Sequence, residues 1–360
     1  MQKYFEEIKD VRQQVKVKHK LTEILVTGIC AVISGCEYFE DIADFCRVKC
    51  EWFREKLGLV LGHGTASHDT YERVFGMIEP KEFERCFAAW VRSIRRKTKD
   101  EVVSIDGKTV CGSGGEDNAA IQMVSAWANA NQLVLGQVKV NDKSNEINAV
   151  PELLEILYLK GCIVTIDAMG CQKDISKKVT KKKADYVFSL KENHPDMYND
   201  VKFYFANEQI KKIKVTENKG HGRIEKREYF LETNIDWLNG RADWSNLNGI
   251  GMVKSTVLEK GKVSEETRYF ITSLMNVDLF AKAVRTHWGI ESMHWCLDVV
   301  FREDNCTVKE SNIAENFAVI RHIAVNILKN FPVKMSLARK RRKCQYDADF
   351  MANVLISAFS

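Results

Sequence analysis

No stretch of ~18 or more uncharged apolar residues occurs in the 360-residue chain, so no membrane-spanning helix is expected. The longest apolar run near the N-terminus, Ile24 to Cys36, is too short to span and follows about twenty residues rich in charge. With no clear cleavage site behind it, it does not read as a secretory leader. Paired C-x2-C knuckles are missing although the chain has 11 cysteines. That argues against a zinc site built on Cys30, Cys36, Cys46 and Cys50, and a chain of this length with no export signal is not a disulfide scaffold. Buried thiols acting as small hydrophobes are the expectation. Internal repeats and low-complexity tracts are absent too. Gly107-Lys108-Thr109 imitates the end of a phosphate-binding loop, but Val102 stands where that motif needs glycine, which excludes a nucleotide cofactor held that way.

Net charge is also small, +5 from 54 basic and 49 acidic residues. The basic residues are nonetheless clustered at Lys16, Lys18 and Lys20; at Arg92, Arg95, Arg96, Lys97 and Lys99; at Lys177, Lys178, Lys181, Lys182 and Lys183; and in the unbroken run Arg339 to Lys343. One such cluster is ordinarily a solvated face, whereas four in one chain point to a polyanionic partner. At 45% hydrophobic and 29% charged, the chain has ample material for a core, and its length favours two or three domains.

Apolar spacing predicts helices over the first hundred or so residues, with Leu21, Ile24, Leu25, Gly28, Ile29, Val32 and Ile33 on a helical period. A turn-rich break at Gly58 to Ser67 precedes a short helix from His68 to Phe75, and Pro80 is placed to open another. These helices are either a DNA-binding module or a scaffold packed on the rest. From Glu101 the pattern turns to strands. Val102 to Ile105, Ala119 to Ala128 and Gln132 to Val140 read as strands, Pro151 to Leu159 as a helix and Cys162 to Ile166 as a strand. Asp174 to Lys183 then reads as a helix and Tyr186 to Leu190 as a strand. Hairpin strands followed by helix, strand, helix, strand make a mixed α/β sheet with helices on its faces, the order of the ribonuclease-H-like fold. From residue 195 to about 275 a helix leads into extended segments at Glu225 to Thr233, Gly249 to Leu258 and Thr267 to Ser273. Helix resumes from Asp278 through Lys329.

Within that frame three acidic residues occupy distinctive places. Asp106 ends the apolar run Val102-Val103-Ser104-Ile105, Asp167 ends Ile163-Val164-Thr165-Ile166, and Glu291 lies in a helical segment. An aspartate at a strand end is commonly a turn former. Two of them with a later helical glutamate are also what a two-metal phosphoryl-transfer site needs, because Mg²⁺ takes oxygen ligands and usually only one or two protein carboxylates. On an uninterrupted helix Val284, His287, Trp288, Glu291, His294, Trp295 and Asp298 fall three and four apart and share one face. A glutamate among aromatics on a buried face needs a metal or a partner. Asp298 and His294 are candidates to support it from behind, with ordinary packing the competing role for His287 and His294.

Six segments then recur together: Ser104-Ile105-Asp106-Gly107-Lys108-Thr109, Lys143-Ser144-Asn145-Glu146-Ile147, and Val164 through Lys173. The others are His221-Gly222-Arg223-Ile224-Glu225, His287-Trp288-Gly289-Ile290-Glu291, and His294 through Asp304. With Ser67-His68-Asp69-Thr70 in the helical part, the chain closely resembles the H-repeat-associated group of bacterial insertion-sequence DDE transposases over essentially its whole length. The resemblance implies a helical domain over residues 1–98, a candidate for DNA binding. It implies a ribonuclease-H-like catalytic domain over 99–330 with a strand-rich insertion at about 195–275, and a basic C-terminal tail or helix over 331–360. It implies that Asp106, Asp167 and Glu291 are the catalytic carboxylates and hold two Mg²⁺ or Mn²⁺ ions. It further implies a cytoplasmic bacterial protein, on the nucleoid when bound to DNA. Its partners would be double-stranded DNA, as element terminal inverted repeats and as target, in a homodimeric complex, with no membrane and no nucleotide cofactor. The activity implied is cleavage at element ends and strand transfer, of the cut-and-paste kind.

Related transposases outside this group carry Tyr, Arg and Lys around the glutamate, where this chain has Val284, His287 and Asp298. Phosphate contacts are therefore sought elsewhere: at Lys108, Lys143, Lys191, Asn193, Arg223, Arg285, His287, Trp288 and Arg302, lysine serving phosphate as a point charge. Trp237 and Trp244 are further candidates, to stack a displaced base, against ordinary core packing. Two competing readings are a DNA-binding remnant without catalysis and a stand-alone nuclease that does not transfer strands.

Overall fold

The computed structural model describes residues 1–114, 119–140, 146–220 and 222–359. Six helices come first: α1 (Gln2–Phe5), α2 (Leu21–Ile33), α3 (Phe39–Val48), α4 (Cys50–Leu57), α5 (His68–Met77) and α6 (Pro80–Ile94). Pro80 opens α6, where its missing N–H costs nothing. The α/β part follows as β1 (Glu101–Thr109), β2 (Gln122–Ala128), β3 (Leu133–Lys139), α7 (Glu146–Ile156), β4 (Cys162–Ile166), α8 (Lys173–Lys181) and β5 (Asp185–Leu190). An insertion adds α9 (Pro195–Asn207), β6 (Lys212–Gly220), β7 (Arg223–Glu232), β8 (Gly249–Glu259) and β9 (Lys262–Thr272). The chain closes with α10 (Val277–His287), α11 (Gly289–Trp295), α12 (Ser311–Asn330), α13 (Leu337–Tyr346) and α14 (Ala348–Phe359).

One nine-stranded sheet runs through the molecule in the order β3-β2-β1-β4-β5-β9-β8-β7-β6. β1, β4 and β5 are parallel neighbours, and β2 and β3 fold back antiparallel. This is the mixed sheet of a ribonuclease-H-like core, as the order of elements predicts. β4 reads as a continuous apolar strand because it is buried on both faces. The insertion is not a separate body. β9 pairs antiparallel with the edge of β5, so the same sheet continues into a four-stranded ribbon. β5 ends at Leu190, opposite Tyr269, whereas β9 begins at Lys262. The seven residues 262–268 and their partners therefore overhang the carboxyl ends of the parallel strands by about 24 Å at ~3.4 Å per residue.

α12 is buried along most of its length between the N-terminal helices and β3. Its Asn316 donates to the carbonyls of Phe75 and Ile78, and its Asn326 exchanges two bonds with the backbone of Val134. The N-terminal helices thus share one core with the sheet. α10 crosses the other face, its Phe280 and Val284 packed with Val102, Ile163, Val187, Tyr229 and Val253 from both halves of the sheet. Asn276 caps it by accepting from the amides of Asp278 and Leu279. Among the described residues no helix is long and apolar enough to cross a membrane.

Several elements differ from the sequence reading. α7 starts five residues ahead of Pro151, because burying Ala149 and Val150 offsets the one hydrogen bond the proline cannot donate. β6 went unread because its alternation, Ile213 and Val215 between lysines, stops before Glu217, Asn218 and Lys219, a composition that suits an edge strand. The long final helix is broken at Trp288 and passes into a wide π-type turn over Cys296–Val300. The C-terminal basic segment is the helical form of the two expected, α13 and α14. Lys340 donates to the carbonyls of Leu328 and Phe331, and Arg341 to those of Val32 and Val300, its guanidinium 4.6 Å from the Phe301 ring. Two of the five residues in that basic run therefore hold helices together and do not face a polyanion.

Candidate active site

Ile105 of β1 is in register with Ile166 of β4, so Asp106 and Asp167 take the next, adjoining positions on parallel strands roughly 4.8 Å apart. Asp106 still belongs to β1, opposite Ser125 of β2. Asp167 begins the loop after β4, where its Oδ1 accepts from the amides of Met169 (3.1 Å) and Gly170 (3.3 Å). That is the turn-forming habit of aspartate, and here it leaves the carboxylate at the sheet end. Gly170 is required, since a Cβ there would sit 2.1 Å from the Ile166 side chain.

Behind Asp167 runs a closed polar chain. Asn129 Nδ2 donates to Ser104 Oγ at 2.9 Å, Thr165 Oγ1 to Ser104 Oγ at 3.3 Å, and Thr165 Oγ1 meets His287 Nδ1 at 2.9 Å. Burial lowers the His287 pKa to about 4 although Asp167 pulls it upward, so the ring is neutral at pH 7. His294 Nδ1 lies 3.8 Å from Asp106 Oδ2. Burial, with Lys108 nearby, lowers its pKa to about 4 as well.

Glu291 sits in the first turn of α11, one turn before His294. Gly289 lets this helix start flush against the sheet, since a Cβ there would fall 2.0 Å from Asn129 Oδ1. The shared buried face read from helical spacing does not form. Val284 and His294 are buried, whereas Glu291, Trp288 and Trp295 are exposed, because the break at Trp288 and the π-type turn shift the phase on either side. Among the described residues no three His, Cys, Asp or Glu side chains are grouped to hold a metal ion. Asp106 and Asp167 offer the hard oxygen donors that Mg²⁺ takes. Glu291 remains on the solvent side of α11.

The other sequence candidates divide. Lys108 does not face a phosphate. It is caged by Asp298 Oδ1 at 2.7 Å, Glu303 Oε2 at 3.0 Å and Asp304 Oδ1 at 3.3 Å. Burial disfavours its charge, but Glu303 and Asp298 outweigh that and raise its pKa. Asp298 accordingly balances Lys108 and is not turned toward Glu291. Glu303 and Asp304, both in the last recurring segment, are the site's neighbours that sequence reasoning left without a role. Asn193 Nδ2 donates to the Ala168 carbonyl at 2.7 Å and fixes the Asp167 loop. Lys191 and Asn193 line a groove of about 550 Å³ between that loop and β9, with Arg268 on its far wall. Arg223 is at the β6–β7 turn beside Glu225, and Arg302 reaches Glu37 at 3.6 Å. Arg285 is exposed near the C-terminus of α10, and the Arg268 guanidinium lies over Trp288 at 5.8 Å. Lys143 and His221 lie outside the described residues. Trp244 is core, and Trp237 stacks on Tyr204 at 4.5 Å.

The ribonuclease-H-like sheet defines a class of fold, and comparison gives the family: the chain belongs to the DDE transposase family. Residues 97–327 match the transposase DDE domain, and residues 2–91 the DDE_Tnp_1-associated domain. The chain is similar to "H repeat-associated putative transposase YhhI" of Escherichia coli (strain K12), 39% identical over 97% of this chain and 95% of that protein. It is equally similar to "Putative transposase YncI" of Escherichia coli O157:H7, 39% identical over 98% of this chain and 94% of that one. A solved piggyBac transposase synaptic complex with hairpin DNA matches at a TM-score of 0.42 and 12% identity, covering 97% of this chain and 76% of that one, a likeness too loose to assign anything here.

Proposed function

We propose that this chain is a metal-dependent DNA transposase that cuts at the ends of an insertion sequence and joins the freed ends to target DNA. The observation that carries the reading is the adjoining placement of Asp106 and Asp167 beyond the register pair Ile105 and Ile166, in a chain of the DDE family. In cleavage a water oxygen bonds to phosphorus and the P–O3′ bond breaks, leaving a 3′-hydroxyl. In transfer that hydroxyl attacks a target phosphodiester and displaces its 3′-oxygen. Mg²⁺ or Mn²⁺, two ions, would supply activation of the attacking oxygen and stabilisation of the leaving one.

Asp106 and Asp167 would hold those ions, with Glu291 the third carboxylate, brought in from α11. Two carboxylates suffice for a first ion, since water and phosphate oxygens complete its shell. The chain Asn129–Ser104–Thr165–His287 stiffens the wall behind Asp167, and Gly170 sets the turn that aims it. Neutral His287 and His294 border the two aspartates without adding a fixed positive charge that would compete with a metal. Lys191, in the groove beside the Asp167 loop, would face the DNA backbone. Double-stranded DNA is the partner, as terminal inverted repeats and as target, with two copies of the chain joining two ends.

The test is Mg²⁺- or Mn²⁺-dependent cleavage of duplex DNA carrying the element's own ends. Wild type should cut, while Asp106→Ala, Asp167→Ala and Glu291→Ala should each bind the duplex and leave it intact. Cleavage by any one of the three removes that residue from the site. Wild type that binds DNA and never cuts would leave the non-catalytic DNA-binding reading standing. Strand transfer with pre-cut ends separates a transposase from a plain nuclease.

A further inference from the structure

The strand-rich ribbon carries a second polar site that the cleavage chemistry does not use. Thr216 of β6, Arg227 of β7 and Ser255 of β8 stand in one cross-strand row, and Tyr229 is two residues along β7 on the same face. Thr216 Oγ1, Arg227 Nη1, Tyr229 OH and Ser255 Oγ are all buried with no hydrogen-bond partner. One orphaned hydroxyl is an ordinary exception. Four donor-bearing atoms orphaned side by side need a shared acceptor. Arg227 is only 8% exposed. Its one ion pair, to Glu225 at 2.6 Å, uses the other guanidinium nitrogen.

Around it stand two further arginines and two carboxylates, Glu225 against Arg227 and Glu266, opposite Ser255, 3.6 Å from Arg268. Arg268 stands opposite Val253, which is itself opposite Tyr229, so it shares their face. Arg268 and Arg285 are close enough to Arg227 to disfavour its charge, burial being the larger cause. α10 brings these parts together. Its Val284 packs with Tyr229 and Val253, its last residues carry Arg285 and His287, and Trp288 follows beneath Arg268. A guanidinium fork, three hydroxyls and two further arginines are the donor set of an oxyanion and have no use for a cation or an apolar group.

Resting on the reading of the chain as a DNA transposase, we propose that Arg227, Tyr229, Ser255 and Thr216, rimmed by Arg268 and Arg285, bind a backbone phosphate of DNA. The site lies on the ribbon that overhangs Asp106 and Asp167. It would fix the duplex at a distance from the scissile bond, in a chain that has Val284, His287 and Asp298 where related transposases carry Tyr, Arg and Lys. A phosphate here positions DNA and carries no sequence information.

Duplex binding across a salt series, read beside the melting temperature of the free protein, tests this. Arg268→Gln and Arg285→Gln should each lower the slope of log affinity against log salt by about 0.9. Tyr229→Phe and Ser255→Ala should leave the free protein as stable as wild type or more so, because each removes an unpaired buried hydroxyl. Both should bind the duplex roughly tenfold more weakly. Lower melting temperatures with unchanged DNA binding would overturn the proposal, because the hydroxyls would then serve the free fold. Stabilisation by inorganic phosphate that duplex DNA does not displace would also overturn it, assigning the site to a free anion. Cleavage by the same preparations keeps the two readings apart. Cleavage that is insensitive to the ribbon variants sinks the phosphate site alone, and arginine-dependent binding without cleavage sinks the catalytic reading alone.

Discussion

Two polar networks on one sheet are in opposite states. At the β1–β4 end, Asn129, Ser104, Thr165 and His287 form an unbroken chain, and Lys108 is enclosed by three carboxylates. On the β6–β8 ribbon, Thr216, Arg227, Tyr229 and Ser255 keep four unpartnered atoms. The sheet and the crossing helix α10 are common to both, so the difference is not one of fold. Satisfied buried polar groups rigidify what they touch, and what the first network touches is the loop that aims Asp167. Unsatisfied ones are costly in the free protein and become favourable when a ligand arrives. The chain from Asn129 to His287 is complete in the free protein, although His294 Nε2 and Trp127 Nε1 beside it are unpartnered, and the ribbon row is left for a partner to complete.

Breaking the closed network should cost most. Lys108→Met strips Glu303, which is 2% exposed, of its nearer cation and leaves Arg321 at 3.9 Å, and should destabilise the protein by about 3 kcal/mol in urea unfolding. Thr165→Val leaves His287 Nδ1 without its partner and should cost about 1–3 kcal/mol, with slower cleavage because the Asp167 wall loosens. Acid sharpens the contrast. His287 and His294 are both lowered to about 4 by burial. The unfolded chain therefore binds more protons than the folded one between about pH 6.5 and pH 4. Stability should fall as pH drops through that window, by up to roughly 1.4 kcal/mol per pH unit for each ring, and His287→Gln should flatten the slope measured by urea midpoints. The smallest effect is the most telling. Tyr229→Phe on the ribbon should change free-protein stability by less than about 0.5 kcal/mol or raise it, the reverse of what Thr165→Val does at the other end.

Much of this was legible before the fold. Asp106 follows the buried first half of β1 and Asp167 follows the buried β4, and such apolar runs carry a sharp signal in sequence. The helical placement of Glu291 was legible by its segment, but its exposure was not. Helical spacing assumes an uninterrupted helix, and nothing in that period reveals a break at Trp288 or a wide turn after Trp295. Lys108 looked like a phosphate contact because its three carboxylate partners lie about 190 residues or more away along the chain. The basic run at 339–343 looked like a polyanion surface for the same reason, with Val32 its acceptor 309 residues distant.

The sequence by itself determined β1 to β5, the aspartates Asp106 and Asp167 beyond two apolar runs, and the family, because alternation, apolar runs and short segments are local properties. The tertiary structure alone decided which charges are neutralised and which polar atoms stay unpaired. Those depend on partners from distant segments meeting in space. Only folding brought Lys108 to Glu303, His287 to Thr165, and Arg227 to a row of hydroxyls.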